Sequence, residues 1–301
     1  MAAGAFSLCD GAMRVVTHSG PFHADEVFAC ALLRVFLGRD FALLRTRDAG
    51  VIAGADVVID VGGQYDPARG RFDHHQRSYH GGQSSAGMML SWLESTGKVS
   101  AGFASQLRHE WVEYIDAVDT GRRSPAPGVP CISTIVAVMA DRAHSSAELD
   151  ACFLEAVALC EAILRGLQAR ERASQEASAA VARAMREAEA AGSRVLVFER
   201  HYKWKRAYFE HGGAHHPSDF VLFPDEDGSW RLLCVPLDGG GLALKRPLPE
   251  AWAGLTDEEL SNVVGVPGAK FCHKNRFLAA FADEAAARAA IARWGLGQPA
   301  A

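Results

Sequence analysis

No apolar run in this chain approaches the roughly 20 residues needed to cross a bilayer. The opening MAAGAFSLCDGAMRVV has neither the charged start nor the long apolar stretch of a secretory signal. Seven cysteines are present, at 9, 30, 131, 152, 160, 234 and 272, but none forms a Cys-x-x-Cys pair. A disulfide framework and a thiolate zinc site are therefore not expected, and reduced thiols in a cytoplasm fit better. There is no His-Glu-x-x-His, which leaves a zinc protease without support. There is no Gly-x-Ser-x-Gly either, so Ser19 beside His18 is not read as a serine nucleophile. Net charge is also small, 31 Lys and Arg against 36 Asp and Glu, for a formal -5. No strong overall field draws the chain onto nucleic acid or an anionic membrane, although a local basic groove is compatible with that balance. What the chain does have is ordinary globular material: 301 residues, 49% apolar and 22% charged. That supports a sizeable core and, by length, two domains.

Met13–Thr17 reads as a strand that ends in the loop residues His18-Ser19-Gly20-Pro21. Val27, Ala31, Leu32, Val35 and Phe36 then share one helical face. Phe41–Arg45 reads as a second strand. Ala55–Val61, nearly all apolar and bounded by glycines, reads as a strand covered on both faces. This order predicts a parallel α/β sheet with right-handed crossovers. Residues 84–96 and 100–118 read as helices. Residues 147–191 form a long helix-prone tract that would reach roughly 65 Å at 1.5 Å per residue. A compact domain cannot hold such a helix, so a break is expected near Gly166 or Ser174, and the tract is read as the connection between domains. In the last third, Arg194–Glu199 reads as a strand and Phe220–Pro224 with Trp230–Pro236 as a hairpin. A strand at Ala269–His273 lies between helices at Leu255–Val264 and Glu284–Trp294. The expected domains are 13–145, connecting helices at 146–192, and a smaller α/β domain at 193–298.

Four clusters carry chemistry. The first is His18 to Glu26, at the carboxyl end of the first strand, where ligands sit in open α/β sheets. The second is Asp60, closing the apolar run Val57-Val58-Ile59. The third is Asp73-His74-His75, and the fourth holds Asp116 and Asp119 at the end of a helix. Each alone has an ordinary reading: a loop histidine, a turn residue, a solvated loop, a helix cap. Together they fall at element ends. A carboxylate directly after a buried strand is costly to leave unpaired, and a cation offsets that cost. Imidazole with carboxylate favours Mn²⁺, Fe²⁺, Co²⁺ or Zn²⁺ over Ca²⁺. Seven such ligands are too many for one ion and suit two, with Asp60 as the natural bridge.

Asp-His-His, preceded by His-x4-His-x-Asp and a strand-terminal Asp, resembles the DHH phosphoesterase superfamily. A closer resemblance is to the melanocyte-proliferating-gene exonuclease family, also described as UPF metal-dependent protein hydrolases. It is carried by THSGPFHADE (17–26), RTRD (45–48), VIDVGGQYDPARGRFDHHQRSY (58–79), SSAG (84–87), WVEYIDAVDTG (111–121), WRLLCVP (230–236) and RPLPEAWAGL (246–255). It runs from about residue 14 to the carboxyl terminus, and the stretch around Asp73-His74-His75 is far more specific than Asp-His-His alone.

The resemblance implies a parallel-sheet DHH-type domain joined by helices to a smaller DHH-associated-like α/β domain. It implies two divalent ions, Mn²⁺ first, with Mg²⁺, Co²⁺, Fe²⁺ or Zn²⁺ as alternatives. His18, His23 and Asp60 would hold one; Asp25, Asp60, His74 and either Asp119 or Asp116 would hold the other. Asp119 is favoured because it precedes Thr-Gly. Much of the superfamily has Asp where this chain has His23, which makes the site less anionic. His75 would meet the scissile phosphate and serve as an acid. Asp73 would orient a ligand histidine from behind rather than bind metal. His74, His75 and Asp60 are the expected catalytic residues.

Substrate contacts are expected from Lys205, Arg231, Lys245, Arg246 and His273, and from Gly265 and Gly268, whose backbone could meet phosphate. Trp204 between two lysines could stack a base or pack in the core. The implied activity is a phosphodiesterase, a 3′-5′ exonuclease on RNA or DNA, using a water activated by two ions. The alternatives are hydrolysis of short oligonucleotides or small phosphoanhydrides, and a metal-stabilised nucleic-acid-binding protein without catalysis. The partner is a nucleic acid or nucleotide and not a membrane; a homodimer is left open.

Overall fold

A computed structural model describes residues 13–37 and 41–299. It divides into two compact units, one through Gln168 and one from Ala169. Cys9 lies outside the described residues.

The first unit opens with β1 (Met13–Thr17), α1 (Ala24–Leu37), β2 (Phe41–Arg45), a short α2 (Ala49–Ala53) and β3 (Val57–Ile59). Two-residue strands β4 (Tyr65–Asp66) and β5 (Arg71–Phe72) follow. The sheet order is β2-β1-β3-β5-β4, parallel throughout except for β4 against β5. Alternation sorts the strands onto two faces. Val15, Val57 and Ile59 join the main core, whereas Val16 and Val58 pack with Ala55 and Val61 behind the sheet. Helix α3 (Ser85–Ser95) lies against α1 and buries Met88, Met89, Leu90 and Leu93. The expected helix at 100–118 is α4 (Ala101–Leu107) and α5 (Glu113–Asp119), joined by a π-helical turn at Arg108–Val112. A single π turn inside a helix widens it by one residue and often marks a functional stretch. Helix α6 (Ile132–Ala140) was not foreseen.

The expected break at Gly166 or Ser174 is absent. Helix α7 runs unbroken from Ser146 to Ala190, 45 residues. Two stripes hold it. Phe153, Ala156, Val157, Cys160 and Leu164 lie in the first unit's core; Ala177, Ala180, Val181, Ala184, Met185 and Ala188 lie in a core of the second. The division between the units falls within the helix. Its length was ruled out by assuming one compact domain, and the helix serves two. Gly166 is exposed and costs only about 1 kcal/mol against Ala, too little to break a helix so anchored.

The second unit holds a five-stranded sheet, β6 (Val195–Val197), β7 (Phe220–Pro224), β8 (Trp230–Cys234), β9 (Ala269–Cys272) and β10 (Leu278–Phe281), in the order β6-β7-β8-β10-β9. The hairpin of β7 and β8 is as expected; β10 was missed. Phe220 and Leu222 face α9 (Asp257–Val264) and α10 (Glu284–Arg293). Val221 and Phe223 face α7 and α8 (Trp204–Glu210). Both faces are covered, which explains the continuous apolar run in β7. No described helix is long and apolar enough to cross a membrane.

Candidate metal centre

Strands β1, β3 and β5 are neighbours and run the same way, so their carboxyl ends open on one edge. His18 follows β1, Asp60 follows β3, and Asp73-His74-His75 follow β5. The first turn of α1 adds Asp25 and Glu26, with His23 just before it, and the last residue of α5 adds Asp119. Asp60 stands at φ 56, a left-handed conformation that few residues except Gly, Asn and Asp adopt readily. That turn aims its carboxylate inward. Oδ2 lies 3.4 Å from His18 Nε2, and Oδ1 lies 3.4 Å from His74 Nδ1 and 3.3 Å from His75 Nδ1. The other oxygens crowd close. His74 Nδ1 is 4.0 Å from Asp25 Oδ2, His74 Nε2 is 3.0 Å from Asp119 Oδ2, and His18 Nε2 is 3.0 Å from Glu26 Oε1.

The carboxylates of this cluster are buried and bring a concentration of negative charge. Asp25 and Glu26 are fully buried, and Asp60 is 4% exposed. Among the described residues their ion-pair partners are imidazoles alone. Burial, reinforced by the charges of Asp60 and Glu26, pushes the Asp25 carboxyl well above its usual range. Burial also opposes the charge on Asp60, yet the bonds from His18 and His75 hold its carboxyl well below that range. For His18 burial works against the cation, but the bonds to Asp60 and Glu26 outweigh it and push the imidazole up to about 10. His75 is raised to about 9 by its bond to Asp60, against burial, with help from Asp73.

Of the six buried side-chain polar atoms without a hydrogen bond among the described residues, two, Asp25 Oδ1 and His74 Nδ1, lie in this cluster. Buried polar atoms are almost always satisfied, so a pair of orphans in one cluster calls for a partner. Groups of ligand atoms within 4.8 Å of one another include Asp60 with Asp73, His74 and His75; His18 with His23 and Glu26; His23 with Asp25 and Asp119; and Asp25 with Glu26 and Asp60. These buried Asp and His clusters can hold metal ions: the donors are the right types, the charge is unbalanced, and the orphans need a cation.

Both raised imidazoles have one consequence for the metal-free protein. A raised pKa means stability that is full below the unfolded value of about 6.5 and lost as pH rises through the folded value. The melting temperature of chelated protein is expected to fall between pH 6.5 and 10, and to fall less in His18→Asn. A melting temperature that rises over that range contradicts the assignment.

Asp116 and Asp119 part company. Asp119 reaches His74, whereas Asp116 turns to α3, accepting bonds from Ser84 N (2.9 Å), Ser84 Oγ (2.7 Å) and Gly87 N (3.1 Å). Asp73 accepts from the backbone and ring nitrogens of His75, at 3.0 and 2.9 Å, and from Gly63 N at 2.6 Å. It thus holds His75, the more exposed of the two histidines, rather than His74. Sequence reasoning missed Glu26 and Ser85. Ser85 gives its hydroxyl to Phe72 O and Asp60 Oδ1, and its N–H to Asp25. Glu26 sits three residues after His23, where a helix-capping carboxylate belongs, and that spacing was its available signal.

A chain at least two-thirds covered by one family profile is hard to place elsewhere, and here the family model MYG1 exonuclease, described as "Uncharacterised protein family (UPF0160)", matches residues 14–294. The chain belongs to the MYG1 family. A MYG1 protein of Chlamydia pneumoniae is 37% identical over 91% of this chain and 94% of its own length. The human protein called MYG1 exonuclease is 34% identical over 88% of this chain and 81% of its own. A Caenorhabditis elegans MYG1 protein is 31% identical over 87% and 89%. No solved structure is significantly similar. The matched segment of this MYG1 family member includes every residue of the buried cluster.

The second unit gives its expected substrate residues varied surroundings. Lys245 spends three hydrogen bonds on Tyr208 Oη, Gly213 O and His216 O, at 2.9, 2.6 and 2.7 Å. Arg231 pairs with Asp225 at 2.7 Å, and Arg246 donates to Gln298 O at 2.9 Å. Gly265 ends α9 at φ 72, where a Cβ would strike Arg293. The Gly268 carbonyl accepts from Ala282 N, and His273 Nδ1 accepts from Asn275 N. Lys205 is exposed. Trp204 is buried edge-on to Tyr208, so it packs in the core and does not offer a face for a base.

Proposed function

We propose that this chain is a metal-dependent phosphodiesterase of the DHH type that removes nucleotides from the 3′ end of RNA or DNA. The observation that carries the reading is the convergence of His18, Asp60 and His74, from three adjacent strand ends, on a buried acidic cluster with two orphaned polar atoms. The relatives named exonuclease, at about a third identity, favour a nuclease over other phosphoesterases. His18, His23 and Asp60 would hold one ion, and Asp25, Asp60, His74 and Asp119 the other; Mn²⁺ suits this mix of imidazole and carboxylate. Two such ions supply a nucleophile at neutral pH and balance the charge on phosphorus.

The protein's own groups do the placing. Asp60 is fixed between the two sets of imidazoles by its left-handed turn. His74 presents Nε2 to Asp119 and Nδ1 to Asp25 and Asp60. His75 is partly exposed, is held by Asp73, and is cationic at neutral pH in the metal-free chain. It is placed to meet the phosphate and give a proton to the leaving oxygen. A recess of about 340 Å³, lined by Phe22, His23, Val118, Asp119, Pro125 and Ser133 among others, opens beside the cluster. That volume suits a single nucleoside. From the second unit, Lys205, Arg231, Lys245, Arg246, His273 and the Gly265–Gly268 turn are the proposed substrate contacts.

The test offers end-labelled single-stranded RNA, single-stranded DNA, dinucleotides and pyrophosphate in parallel with Mn²⁺. Mononucleotides are expected from the 3′ end of the long substrates, with none after chelation. Turnover of dinucleotides or pyrophosphate alone favours the small-substrate alternative. RNA binding without turnover favours a metal-stabilised binding protein.

A further inference from the structure

Glu26 stands outside the ligand sets just given, and its surroundings do not suit a simple helix cap. It occupies the third position of α1, and both carboxylate oxygens accept the His23 N–H, at 2.9 and 3.0 Å. A glutamate is rarely buried completely unless it is paired. Here the side chain is fully buried beside Asp25 and Asp60, and its one ion-pair partner among the described residues is His18. The His23 amide fixes the carboxylate so that Oε1 faces into the cluster.

The ring of His18 adds direction. Its Nδ1 lies 3.2 Å from the carbonyl of Ser19, so that nitrogen carries a hydrogen. Nε2 is then the atom that faces inward, and it meets Glu26 Oε1 at 3.0 Å and Asp60 Oδ2 at 3.4 Å. A lone pair and two carboxylate oxygens at those distances repel unless a cation lies among them. An ion placed among them would have the same three atoms as donors. His23 also brings a ring nitrogen within 4.8 Å of the His18 and Glu26 atoms. Ligands about 2.1 Å from a shared ion stand roughly 3 to 3.5 Å apart, so the spacing of His18 and Glu26 is already that of two donors on one centre.

We infer that Glu26 is a ligand of the ion held by His18 and His23, so that this position is an imidazole-imidazole-carboxylate site completed by Asp60. This rests on the metal-centre reading above and adds a fourth protein donor to one of its two ions. The added carboxylate also supplies anionic charge where His23 contributes none. The affinity of that site for a divalent ion then depends on Glu26 directly, not through the helix.

The test compares full-length wild type with Glu26→Gln and Glu26→Asp. Gln keeps an oxygen for the His23 N–H and the same shape; Asp keeps the charge but withdraws it by one methylene. Bound Mn²⁺ is counted by elemental analysis after gel filtration and by calorimetric titration, and melting is followed with and without the ion. Wild type is expected to hold two ions per chain. Glu26→Gln is expected to hold one tightly, with the second weakened 100-fold or more, and Glu26→Asp to fall between. The metal-free melting temperature of Glu26→Gln should stay within a few degrees of wild type while its rise on adding Mn²⁺ shrinks. Two ions bound with wild-type affinity in Glu26→Gln overturn the assignment and leave the metal centre standing. So does a loss confined to metal-free stability, which marks a cap only. No ion bound by wild type overturns both.

Discussion

Asp60→Asn is expected to lose hydrolysis by roughly a thousand-fold or more, as removal of a central electrostatic group does, while the protein stays folded. The expectation has two halves, one chemical and one conformational. Chemically, Asp60 is, among the described residues, the one carboxylate that touches His18, His74 and His75 together. Both proposed ions draw on it. Asn keeps the shape and one oxygen but gives up the charge that holds imidazole and cation in place. Conformationally, the residue stands at φ 56. Asn and Asp are the non-glycine residues most at ease there, so the substitution asks nothing of the backbone. Ala would add about 1 to 2 kcal/mol of backbone strain and mix the two effects. The measurement pairs Mn²⁺ calorimetry and turnover with circular dichroism. An Asp60→Asn protein that still turns over at a tenth of the wild-type rate would remove the bridge from the mechanism.

The second large effect separates two aspartates three residues apart. Asp116→Ala is expected to cost about 3 kcal/mol or more of stability, because three buried donors lose their acceptor at once. Those donors belong to Ser84 and Gly87 at the start of α3, the helix that packs on α1. The fit is close: a Cβ on Gly87 would sit 2.3 Å from Asp116 Oδ2, so Gly87→Ala should also destabilise by displacing the carboxylate. Asp119→Ala should do the reverse. It leaves those contacts untouched and gives up one pairing, with His74, so metal-free melting should fall far less than in Asp116→Ala while Mn²⁺ affinity and turnover fall. Urea unfolding of the two variants, with m-values compared, reads the difference. Equal destabilisation in both would mean that the two carboxylates share one role.

Why the pair could not be separated earlier is plain from the helix. Residues three apart share a face, so pattern alone puts both carboxylates near the same place. What differs is the neighbour across the gap, a tertiary fact. Strand ends were easier to read. Phe41–Arg45 matches β2 at both ends, and Met13–Thr17 matches β1, because β-type runs there stop at loop-forming residues. β4 and β5 were hidden because two residues carry no periodicity, and their pairing comes from the turn through Gly70 at φ 68. Their absence concealed how His74 comes to lie beside Asp60: β5 runs parallel to β3 and ends level with it. Glu26 was concealed differently. Next to Asp25 in a motif already rich in ligands, it reads as ordinary first-turn acid, favourable to any helix dipole. Only its complete burial sets it apart.

The unbroken α7 also bears on how the two halves can be taken apart. A fragment stopped at residue 145 would lack Phe153, Val157 and Leu164, and a fragment begun at residue 191 would lack Val181 and Met185. Each would expose a greasy trench where its missing strip of helix belongs. One helix is built into the cores of both units, so a cut at either of its ends strips one of them of part of its packing.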